Sequence, residues 1–101
     1  MTYRVKLFEA DVSPADLQAA EGRFRAALEG ELGGPELVVP LYRAAQRILH
    51  SYGEDPADEL LTEDERMVFT TWRSAERAAV AAAFGPNRYM GDAMYEIHAN
   101  H

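Results

Sequence analysis

Seven carboxylates and no basic residue lie between Glu54 and Glu65: Glu54, Asp55, Asp58, Glu59, Glu63, Asp64 and Glu65. The chain holds 17 Asp plus Glu against 10 Lys plus Arg, a formal charge of −7. Setting the seven aside leaves 10 acids against 10 bases, so the excess is wholly local. A local field of one sign can attract a cation or a basic partner. Carboxylates are hard ligands, and calcium is the first cation to consider. An EF-hand, however, needs oxygen ligands at alternate positions and glycine at the sixth. Counting from Asp55, the sixth residue is Leu60, so that motif is absent. Glu63, Asp64 and Glu65 also fit the first turn of a helix, where negative charge meets the positive end of the dipole. Glu54, Asp55, Asp58 and Glu59 precede that turn and are left for contact with a basic protein surface.

Other chemistry-bearing residues are fewer. His98 and His101 stand three apart, and in a strand such residues point to opposite faces, so they do not converge on a metal. His50 falls near a helix end, where a cation is favourable. Ser13 is best used as a cap, and Ser51 and Ser74 lack the glycine elbow of an activated nucleophile. Gly33-Gly34 lacks the Lys and Ser/Thr of a phosphate loop. One connection gathers an amide, a guanidinium, a phenol and an acid: Asn87, Arg88, Tyr89 and Asp92, the candidate lining of a ligand pocket. Phe8, Tyr42 and Phe69 fall off the apolar faces described next, and exposed together they would make a contact patch.

The elements that position these groups follow from periodicity. Tyr3, Val5 and Leu7 alternate with Arg4 and Lys6, a half-buried strand. Ser13, Pro14 and Asp16 open a helix that carries Leu17, Ala20, Phe24, Ala27 and Leu28 inward, with Arg25 and Glu29 paired outside, and Gly30, Gly33 and Gly34 ending it. A second helix places Leu37, Leu41, Ala44, Ile48 and Tyr52 on one face and stops at Gly53. Pro40 in a helix interior would cost about 3 kcal/mol, so the expected start is near Pro40 rather than at Pro35. Thr62 and Glu65 form a capping box. The third helix, about 63–84, turns Val68, Trp72, Ala75, Ala79 and Ala82 inward and Arg66, Arg73, Glu76 and Arg77 outward. Gly85-Pro86 ends it. From Met94 to Ala99 the alternation returns, with Tyr95, Ile97 and Ala99 on one side.

The expected fold is therefore α+β: strand, three helices, strand, with the terminal strands paired against the helices. Arg4 or Lys6 would then face Glu96. A two-stranded ribbon leaves open edges, which invite a second copy or a partner.

A chain of 101 residues suits one domain. Without cysteine, thiol catalysis, disulfides and zinc–thiolate sites are excluded. No run reaches the roughly 18 apolar residues of a membrane helix, and Met1 to Lys6 lacks the apolar stretch of a signal peptide. A pI near 4.8 argues against direct nucleic-acid binding. The expectation is a small cytoplasmic, non-enzymatic interaction protein, an adaptor, regulator or inhibitor of a basic protein, with no metal and no cofactor. Its contact surface would use Glu54, Asp55, Asp58, Glu59, Glu63 and Asp64, or an open strand edge. The alternatives are an enzyme or ligand-binding domain with its pocket at the loop of Arg88, Tyr89 and Asp92, and a self-associating structural subunit.

Overall fold

The structure, a computed structural model, describes residues 2–8, 12–53, 58–85 and 95–100. Its order is β1 (Thr2–Leu7), α1 (Pro14–Leu32), α2 (Val38–Tyr52), α3 (Glu63–Phe84) and β2 (Tyr95–Asn100). This is the expected α+β arrangement, and β1 pairs with β2 antiparallel. The register sets Val5 opposite Ile97 and Lys6 opposite Glu96. Both strands turn alternate residues inward: Tyr3, Val5, Leu7 and Ile97 are buried, while Arg4, Lys6, Glu96 and His98 are exposed.

Local chemistry sets the helix ends. Ser13 Oγ accepts the Asp16 N–H at 3.2 Å, with Pro14 in the first helical position. Gly33 closes α1 at φ 87°, a left-handed conformation that a residue without Cβ adopts freely, and its N–H returns to Glu29 O at 2.9 Å. Gly30 does not end α1 as expected; it lies inside the helix, exposed, with nothing within 4 Å of where its Cβ would be. The Thr62–Glu65 capping box is present in both directions: Glu65 N–H to Thr62 Oγ1 at 3.1 Å and Thr62 N–H to Glu65 Oε1 at 2.9 Å.

α2 departs from expectation. It starts at Val38, two residues before Pro40, and runs on from a 3₁₀ turn at Pro35–Leu37. Pro40 sits in the first turn, where the N–H it lacks would have had no partner within the helix. The buried face is also rotated. Val38, Val39, Ala45 and Ile48 are buried, whereas Leu37 and Tyr52 are exposed. The cause is packing on several sides, chiefly against α3 and also against α1 and β2. Tyr42 turns inward to serve α3 and β2, its ring 5.4 Å from that of Trp72 and 6.3 Å from that of Tyr95. It therefore does not join Phe8 and Phe69 in an exposed patch: Lys6 lies over Phe8, and Arg73 lies over a half-buried Phe69.

α3 is the spine of the core. Trp72, Ala75, Ala79, Val80 and Ala83 are buried against Ala20, Phe24 and Leu28 of α1. The alanines allow the two helices to approach closely. Ala82 is exposed, and Ala83 takes the place expected of it. Arg23 of α1 donates from Nε to Ala82 O at 3.1 Å and from Nη2 to Ala83 O at 3.0 Å, so its cation satisfies carbonyls at the negative end of α3.

Candidate functional site

The acidic segment joins α2 to α3. Glu54 and Asp55 lie outside the described residues, and of Asp58 only the backbone is described, at the start of a 3₁₀ turn that runs to Leu60. Glu59, Glu63 and Asp64 are exposed, and no ion pair among the described residues reaches them. Glu65 is different. It is half-buried, holds the cap, and accepts from the Tyr52 hydroxyl at 3.4 Å, so its work is structural.

Beside these carboxylates a groove of about 370 Å³ opens between the C-terminal half of α2 and the first turns of α3. Its floor is Ala44, Ile48 and Val68. Arg47 and Ser51 stand on the α2 side, Asp64 and Glu65 on the α3 side. The sequence pattern puts Ala44 and Ile48 on the core face of α2 and singles out neither Arg47 nor the groove.

The most concentrated polar chemistry in the core was also missed. Glu76 was expected on the outer face of α3, yet it is only 8 % exposed. It stands four residues after Trp72 and therefore shares the inward face. The Tyr95 hydroxyl donates to Glu76 Oε2, Arg73 Nη1 donates to Oε1 at 3.0 Å, and Trp72 Nε1 donates to the Tyr95 hydroxyl at 3.3 Å. Burial first, then the neighbouring Glu76 charge, pushes the Tyr95 phenol well above its ordinary range. Tyr42 shifts upward for the same leading reason, opposed by a hydrogen bond from the Ile97 backbone. The rings of Phe24 and Tyr95 lie 5.0 Å apart, completing a box of packed aromatics around one satisfied carboxylate. A second cluster ties the first strand down. Tyr3 donates to Glu29 Oε1 at 2.6 Å, Arg25 Nε reaches the same oxygen at 3.1 Å, and the Arg25 guanidinium lies 4.5 Å above the Tyr3 ring. The Tyr3 hydrogen bond holds the Glu29 carboxyl below its usual value, and burial raises Tyr3. Both clusters hold a phenol neutral and fixed, which suits locking a strand to a helix rather than moving a proton.

The remaining candidates are scattered. Asn87, Arg88, Tyr89 and Asp92 lie outside the described residues, as does His101. His98 is exposed, with Nε2 2.8 Å from Glu96 Oε2. His50 sits in the last turn of α2, as expected. Ser51 and Ser74 are exposed. Among the described residues no group of three His, Asp or Glu is placed to hold a metal, and no helix is long and apolar enough to cross a membrane. At the outer edge of β1, the Leu7 N–H is taken by Glu21 Oε1 at 3.2 Å, which blunts part of that edge. No family profile, curated protein or solved structure matches the chain.

Proposed function

We propose that this protein is a small non-enzymatic interaction module whose acidic segment, between α2 and α3, docks a basic surface on a protein partner. The observation that carries this reading is the segregation of charge: the entire net charge of −7 lies in one stretch of chain. The exposure of Glu59, Glu63 and Asp64, and the lack of ion pairs to them among the described residues, support it. Carboxylates left unneutralised on a surface steer a cationic partner and fix its orientation. Glu54, Asp55, Asp58 and Glu59 precede the Thr62 cap, so α3 does not need their charges to start. The setting we assign is cytoplasmic, in keeping with a chain that has no cysteine.

The test is affinity capture from the source cell with two baits. One is the natural chain. The other carries Glu54→Gln, Asp55→Asn, Asp58→Asn and Glu59→Gln. The natural bait is expected to retain a protein of basic pI at low salt and to release it as salt rises. The substituted bait is expected to fold with an unchanged thermal midpoint and to lose that protein. Equal capture by both baits would overturn the proposal.

A further inference from the structure

We propose that the groove between α2 and α3 seats an amphipathic helix of that basic partner. The inference rests on the docking reading above and adds the apolar half of the contact. Three observations lead to it. The groove is lined by apolar Ala44, Ile48 and Val68, with the carboxylates Asp64 and Glu65 on the α3 side and one cation, Arg47, on the α2 side. The lining residues of each helix stand one turn apart, Ala44 and Ile48 on α2 and Asp64 and Val68 on α3, and a channel between such rows accepts the i, i+4 ridge of a third helix. Finally, of five large apolar side chains exposed among the described residues, Phe8, Leu37, Tyr52, Leu60 and Met67, the last three lie in or beside the ends of α2 and α3 that form the groove, although none of them lines it. Tyr52 is fixed there by its bond to Glu65, Met67 adjoins Val68, and Leu60 lies two residues before the cap.

The chemistry of the occupant follows. An aliphatic side chain meets the floor, and a Lys or Arg one turn away meets Asp64, with Glu63 and Glu59 nearby. A second copy of this chain is the poorer fit, because it would bring its own excess of carboxylates to a rim that already carries them. A small apolar ligand would leave the charged rim unused.

The experiment pans random twelve-residue peptides displayed on phage against the immobilised full chain. Recovered peptides are then measured against three variants: Ala44→Arg, Ser51→Trp, and the triple Glu59→Gln, Glu63→Gln, Asp64→Asn. Ser51 is exposed, so its tryptophan fills the groove without disturbing the core, and circular dichroism confirms that each variant is folded. The proposal expects recovered peptides to pair an aliphatic residue with a Lys or Arg three or four positions away. It also expects both groove variants to weaken them about tenfold or more, the scale of losing one apolar anchor. Basic peptides that bind the groove variants normally but lose affinity for the acid-neutralised triple would overturn the groove and leave the acidic docking reading standing. Peptides that bind the triple normally would remove that reading as well. Recovery of no peptide, or a dimer in sedimentation that Ser51→Trp dissociates, would also overturn the proposal.

Discussion

Glu76 shows how much one side chain can organise. Its carboxylate is buried, and it is tolerable there only because Tyr95 and Arg73 both donate to it. Removing the Tyr95 hydroxyl with Tyr95→Phe leaves Glu76 short of one donor and Trp72 Nε1 without its acceptor. The expected cost is about 1–3 kcal/mol in urea unfolding, and Tyr52→Phe, at an exposed hydroxyl, is expected to cost much less. The pH dependence follows from the upward shift at Tyr95. A phenol raised above its ordinary 10.0 binds its proton more tightly in the folded state than in the unfolded one. Its contribution is complete below pH 10 and is lost as the pH rises above 10 and the unfolded phenol ionises. Tyr95→Phe is therefore expected to flatten the alkaline fall in stability as well as lower its neutral value. A Tyr95→Phe variant as stable as the natural chain would show that the cluster is not held as described. Half of this arrangement was legible in the sequence. Trp72 and Glu76 are one turn apart, so both must face the same way once Trp72 faces the core. The other half was not, because the partner that makes burial acceptable arrives from β2, 19 residues further on.

At the scale of elements, the ends were easier to read than the faces. Ser13, Thr62, Gly33, Gly53 and Gly85 sit where cap and stop chemistry requires, because those rules involve neighbours within four residues. The direction in which a helix turns its side chains depends on what packs against it. α2 packs against α3, α1 and β2, so its buried arc is wider than one stripe and takes in Tyr42 as well as Ile48. Tyr52, in phase with Ile48, stays exposed, with only its hydroxyl reaching Glu65 of α3. Arg23 is a further long-range feature, holding the C-terminal carbonyls of α3 from the middle of α1. The Thr62 cap is the cleanest element to test. Thr62→Ala is expected to cost about 1 kcal/mol in urea unfolding, since it strips the acceptor from the Glu65 N–H while leaving the packed part of α3 untouched. A neutral result would mean that the start of α3 is held by packing alone.

Across the whole molecule, the paired terminal strands close the domain. In sequence the acidic segment joins α2 to α3, and none of its residues takes part in the Tyr95–Glu76 or Tyr3–Glu29 locks among the described contacts. The expected pairing of first strand with last was legible because two alternating segments need a mate and only each other were available. The groove was not, because it belongs to neither helix alone. On the proposed reading, the acids before the Thr62 cap serve binding, while Glu65 serves the cap. The most direct measurement is the association rate of the captured partner, followed at low and at physiological ionic strength. It compares the natural chain with the Glu54→Gln, Asp55→Asn, Asp58→Asn, Glu59→Gln variant. Steering by exposed charge acts over a screening length of roughly 8 Å at physiological salt, so it is strongest when salt is low. The account predicts that the variant associates several-fold more slowly at low salt, that the gap narrows as salt is added, and that the dissociation rate changes less. Association at the natural rate at low salt would contradict it.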